Sequence, residues 1–141
     1  MKSLLFVCIH NSARSQMAEA FAKRYGADQF LVYSAGLEPG VLNPSVVQVM
    51  AELDIDISAQ TCRSVEQHVA QYGAPDIVIT VCDEASAERC PHISGAMQLH
   101  WGFEDPSAVA GDDAHKLAAA RTIRDQIQAR VSAWCDEIAA L

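Results

Sequence analysis

The chain has 141 residues, half of them apolar and a fifth charged, which suits one packed domain and gives no support to a repeat array or a disordered tract. Its formal charge of -8 excludes a general nucleic-acid binder, which needs a basic face to neutralise phosphates. Any anionic ligand must therefore be held by local donors. Five cysteines (8, 62, 82, 90 and 135) are an odd number with no CxxC pair and no His-spaced cluster, which argues against a disulfide framework and against structural zinc.

Residues 4–9 form the longest early apolar run, far too short for a membrane span and without a signal-peptide cleavage pattern. A cytoplasmic protein that binds no membrane is expected, with thiols kept reduced and free for chemistry. Strands are predicted at residues 4–7, 30–34, 76–81 and 97–101, where β-forming apolar residues cluster. The first helix should begin near Ser12, bury Met17, Ala18, Phe21 and Ala22, and stop near Gly26. Pro44 suits the first turn of a second helix that would bury Val46, Val47, Met50 and Leu53. A third helix spans residues 65–72 and ends at Gly73. The last runs from about 112 to 139, with Leu117, Ala120, Ile123, Ile127 and Val131 on one stripe.

The order β-α-β-α-α-β-β-α predicts a three-layer α/β fold, a doubly wound four-stranded parallel sheet of order 2-1-3-4, with residues 1–141 as a single domain. Ligands of such sheets bind beyond the carboxyl ends of the strands. Cys8 is expected one residue past the first strand and Cys82 one residue past the third. If those strands are neighbours, about 4.8 Å apart, the two sulfurs share a rim.

The strongest local signal is Val7-Cys8-Ile9-His10-Asn11-Ser12-Ala13-Arg14-Ser15, a Cys and an Arg separated by five residues between a strand and a helix. Residues 9–15 can curl so that backbone N–H groups and a helix N-terminus converge on a tetrahedral anion, with Arg14 clamping two of its oxygens. The same field favours the thiolate of Cys8, the nucleophilic form. Ser15 could donate to that sulfur and Asn11 could brace the loop.

This loop, with Tyr33-Ser34-Ala35-Gly36, resembles the low-molecular-weight tyrosine-phosphatase superfamily. Gln16-Met17-Ala18-Glu19, Asp54-Ile55-Asp56-Ile57-Ser58, Val81-Cys82-Asp83, Cys90-Pro91 and His100-Trp101-Gly102-Phe103-Glu104-Asp105-Pro106 extend the resemblance to its thioredoxin-coupled arsenate reductase branch over nearly the whole chain. The resemblance implies that Asp105, before a proline, is a general acid. Ile9-His10 stands where the family commonly has Thr-Gly, so a torsion suited to Gly would fall on His10. Ala13 replaces a frequent cysteine. Asn11, Glu19, Ser34 and Glu66 match positions that bind potassium in some relatives, with Glu66 where an aspartate is usual. No cofactor is expected.

A thiolate that attacks arsenate forms an adduct that a second thiol can discharge at the Cys8 sulfur, expelling arsenite and leaving a disulfide. The resemblance assigns the second and third thiols to Cys82 and Cys90. On an intact helix those two would lie about 12 Å apart, beyond disulfide reach, so any helix there must open. The stretch 83–89 has no large apolar residue to oppose that. Thioredoxin would then re-reduce the pair, and a monomer is expected. The alternative is a low-molecular-weight protein tyrosine phosphatase using Cys8, Arg14 and Asp105. Against it, Ser107-Ala108-Val109 stands where that branch usually carries aromatic residues to stack on a phosphotyrosine ring. A non-catalytic, redox-responsive oxyanion binder is a third possibility. Cys62 and Cys135 read as inert, and Trp101 as a packing residue.

Overall fold

A computed structural model describes residues 1–82 and 96–140. Cys90 and the polar stretch 83–89 lie outside the described residues. Strand β1 (Lys2–Cys8) is followed by helix α1 (Arg14–Gly26), β2 (Phe30–Gly36), α2 (Pro44–Ala51) and α3 (Val65–Tyr72). Then come β3 (Ile77–Thr80), β4 (Met97–His100), a 3-10 turn (Pro106–Ala108) and α4 (Asp113–Ala139). The sheet is parallel with order β2-β1-β3-β4, as expected.

Strand β1 occupies the centre, Leu4 facing Val32 on one side and Ile77 on the other. Successive side chains of a strand point to opposite faces. Leu4, Phe6 and Cys8 accordingly join a large core with Met17 and Phe21 of α1, Val46 and Met50 of α2, and Ile127 and Val131 of α4. Leu5 and Val7 pack on the other face with Ala35, Val78, Tyr33 and Val65. The single-residue alternation thus sets Cys8 on the α1 side.

Pro44 follows the N-cap Asn43, whose side chain accepts from Ser45 N and Val46 N. Helix α2 buries Val46, Val49 and Met50, whereas Val47, off that stripe, and Leu53, beyond the helix end at Ala51, are only partly covered. Helix α3 has a Ser64–Gln67 capping box and ends at Gly73, whose φ of 82° favours glycine. The α4 stripe holds at Ala120, Ile123, Ile127 and Val131 and continues through Trp134. Buried Arg124 donates to Val49 O and Glu52, which Arg121 also grips, tying α2 to α4.

Several strand ends differ from expectation by one or two residues, and two of the shifted boundaries concern the site. Strand β1 runs through Cys8 itself, and α1 starts at Arg14 rather than near Ser12. Residues 9–13 are used by the loop between them.

Candidate active site

The loop after β1 is built by turning its carbonyls outward. Cys8 O accepts from Leu37 N, Ile9 O from Glu38 N (2.8 Å), His10 O from Gly40 N (3.0 Å) and Ser12 O from Asn43 N (2.9 Å). In a trans peptide the carbonyl and the next N–H point opposite ways. The amides of Ile9, His10, Asn11 and Ala13 are thereby aimed inward, and Asn11 N–H indeed donates to Cys8 Sγ at 3.1 Å. Helix α1 has Ala13 at its N-cap, with no side-chain cap on its first amides. Those amides and the positive end of the helix dipole point at the same hollow.

Asn11 braces the hollow. Its Nδ2 donates to Ser15 Oγ (2.8 Å) and Ser34 Oγ (2.9 Å), and its Oδ1 accepts from Gln16 Nε2 and Arg63 N. Both N–H bonds and both lone pairs are used, so the amide has one orientation. Ser15 Oγ lies 2.9 Å from Cys8 Sγ, and a hydroxyl that already accepts from Asn11 has its own proton to give to the sulfur. The left-handed torsion falls on Asn11 (φ 53°), not on His10. Asn tolerates that region far better than a bulky residue does, so replacing the family's glycine at position 10 costs no left-handed strain. His10 instead faces solvent, its Nδ1 2.9 Å from Glu38 O. Gly36 backs the loop so closely that a Cβ there would meet Asn11 N at 2.7 Å.

Arg14 is nearly fully buried. Its Nη1 donates to Phe103 O (3.1 Å) and its Nη2 lies 3.6 Å from Asp105 Oδ2. Position 105 is thus brought to the same hollow as Cys8 and Arg14, although it is more than ninety residues from the first of them. Ile9, Ser12 and Ala13 complete the buried loop wall. Cys82, fully buried two residues past β3, lies 3.9 Å from Val7 O, the carbonyl joined to Cys8 N. The two cysteines share the rim that the strand order implied. Cys82 is disulfide-bonded, whereas Cys8, Cys62 and Cys135 are free thiols.

Burial pushes the thiols of Cys62 and Cys135 up, with the charge of Cys8 adding to the first and those of Asp136 and Asp28 to the second. Both are poor nucleophiles. Trp101 packs at the end of β4 between Phe6 and Trp134.

Of the four positions suggested for potassium, Asn11 and Ser34 are hydrogen-bonded to each other. Glu19 and Ser34 line a polar cavity of about 280 Å³ behind the loop, with Lys23, Arg63, Gln16 and Gln60. Asn11 Oδ1 is already doubly engaged, and Glu66 is exposed in the first turn of α3. Lys23 Nζ sits 3.1 Å from Glu19 Oε2. Gln16 Oε1 and Gln60 Oε1 in this cavity have no hydrogen-bond partner among the described residues. Sequence reasoning missed Gln16, Arg63 and Asn43 as braces.

Fold and site together define a doubly wound α/β protein that carries a cysteine-and-arginine oxyanion loop at the switch point of its sheet. The family model for low molecular weight phosphotyrosine protein phosphatase matches residues 3–140, and the chain belongs to that family. It is 42% identical to the arsenate reductase of Halalkalibacterium halodurans over 136 residues, 96% of each chain. The solved structure of an arsenate reductase in oxidized state superposes with a TM-score of 0.77 at 34% identity, covering 98% of this chain and 99% of the other. A thioredoxin-dependent arsenate reductase of Corynebacterium glutamicum matches with a TM-score of 0.74 at 27% identity, over 99% of this chain and 63% of that one.

Proposed function

We propose that this protein is an arsenate reductase that passes electrons from thioredoxin through Cys90, Cys82 and Cys8 to arsenate, acting as a single-domain monomer in the cytoplasm. The observation that carries the reading is the Cys8 thiol at the mouth of an oxyanion loop with Cys82 on the same rim. The inward amides, the start of α1 and Arg14 hold arsenate, an anion of phosphate's shape and charge. The Cys8 thiolate attacks arsenic, and Asp105 protonates the oxygen that leaves as water.

The Cys82 thiolate then attacks the Cys8 sulfur. A Cys8–Cys82 disulfide forms, the sulfur–arsenic bond breaks, and its electron pair stays on arsenic, which departs as arsenite. Cys90 attacks Cys82, freeing Cys8, and thioredoxin reduces the resulting Cys82–Cys90 disulfide. The disulfide bonding of Cys82, with Cys8 left free, is consistent with the last oxidised state of that sequence. The high identity to arsenate reductases and the thioredoxin dependence of one relative support the same reading.

The test couples the protein to thioredoxin, thioredoxin reductase and NADPH and follows arsenate-dependent NADPH loss. Wild-type turnover that disappears in Cys8→Ser, Cys82→Ser and Cys90→Ser is the expected result. Absence of arsenate turnover, beside aryl phosphate hydrolysis that needs only Cys8, Arg14 and Asp105, would establish a phosphatase instead.

A further inference from the structure

We propose that Ser107 and Asn43 are positioning residues for proton delivery, forming a bridge that fixes Asp105 relative to the oxyanion loop; this rests on the acid role given to Asp105 above. Asp105 sits on a half-exposed loop, and its two oxygens have different neighbours. Oδ1 accepts from Ser107 N at 2.9 Å, while Oδ2 lies 3.6 Å from Arg14 Nη2. A protonated carboxyl that accepts an N–H on one oxygen carries its proton on the other. Oδ2 is therefore the oxygen left to carry the acid proton, on the side of the guanidinium that clamps the anion.

What holds that loop in place is a bond between segments 64 residues apart: Asn43 Nδ2 donates to Ser107 Oγ at 2.8 Å. Asn43 belongs to the oxyanion loop's side of the molecule. Its N–H donates to Ser12 O (2.9 Å), and its Oδ1 is committed to the α2 cap. With backbone and oxygen both committed, its NH2 has a fixed direction. Ser12, Asn43, Ser107 and Asp105 thus form a continuous tie from anion to acid. Arg14 also grips this loop, at Phe103 O, but that guanidinium has to engage the anion, so the Asn43–Ser107 bridge supplies a tie independent of the ligand.

Ser107→Ala removes the bridge without touching the α2 cap, Ser107→Thr keeps the hydroxyl, and Asn43→Ser keeps a capping oxygen but loses the donor. In the full chain, three quantities are measured: binding of inorganic phosphate by calorimetry, kcat and KM for arsenate across pH, and phenyl phosphate hydrolysis. A misplaced acid costs rate rather than affinity, so Ser107→Ala and Asn43→Ser should each lower kcat about tenfold. Phosphate affinity and KM should stay within about twofold of wild type, and the alkaline limb of the kcat profile should flatten. The double variant should be no worse than either single one, and Ser107→Thr should restore the rate.

Unchanged kcat, losses that add in the double variant, or a parallel loss of phosphate binding would each overturn the assignment. A wild type that hydrolyses phenyl phosphate but reduces no arsenate sinks the reductase reading alone, because the ester then decides the bridge by the same comparison. A wild type inert on both leaves Asp105 no proton to deliver and removes the bridge with it.

Discussion

The two loops that meet at Arg14 are built on opposite principles. Residues 9–13 are almost wholly buried apart from His10, their outward carbonyls bonded by residues 37–43 and their core braced by a fully satisfied Asn11. Residues 102–109 are mostly exposed or half-exposed, fixed by Arg14, by the Asn43–Ser107 bond and by the buried ring of Pro106. Holding a dianion requires many donors at fixed positions, and preorganisation is what makes each donor effective. Giving one proton requires a single group that can approach and withdraw. The first loop is therefore over-determined, and the second is held by few bonds.

The sharpest way to break this contrast is at the residue shared by both loops. Arg14→Lys replaces a two-pronged fork by a point charge and also releases Phe103 O, and kcat/KM for arsenate should fall about a thousandfold. A loss under tenfold would mean that the backbone alone binds the anion. Next in size is Asn11→Ala, which strands buried partners on four residues and places a non-Asn residue at positive φ. A loss of about 3 kcal/mol in urea unfolding is expected, against under about 0.5 kcal/mol for Ser107→Ala in the exposed loop. Equal losses would erase the distinction.

Asp105→Asn should lower kcat about a hundredfold while leaving calorimetric phosphate affinity near wild type, separating the proton from the binding. The smallest effect lies outside both loops and serves as their control. Arg121 and Arg124 hold the Glu52 carboxyl down to about 2 from its ordinary 4.5. Because the folded value is depressed, its stabilisation is complete above pH 4.5 and fades as pH falls toward 2. Glu52→Gln should thus shift the urea midpoint slightly at pH 6 and hardly at pH 2.5, with arsenate turnover unchanged at pH 7.

Much of this was legible in the sequence because it is local. The Pro44 start of α2, the Gly73 stop of α3 and the α4 stripe all follow from residues within a turn or two of one another, whereas the strand order, which pairs residues as far apart as Leu4 and Ile77, came only from the alternation of elements. The first helix was expected to begin near Ser12, yet the loop takes that residue and leaves Ala13 as the N-cap. The left-handed torsion was placed one residue early: motif position says that a turn exists, not which peptide carries it. Arg63 N on Asn11, Asn43 on Ser107 and Arg14 on Phe103 join segments 52, 64 and 89 residues apart, and no spacing rule reports such pairs.

Ala13 has a consequence for the molecule's heat tolerance. A helix that begins without a side chain of its own over its first amides is unfinished until something negative arrives, so a seated tetrahedral anion completes α1 as well as being held by it. Every ligand that binds the folded chain alone raises its stability by mass action, about 2.7 kcal/mol at a hundred times its dissociation constant. Inorganic phosphate would then act as a preservative of the idle protein, and the melting temperature would climb with phosphate concentration before any arsenic is present.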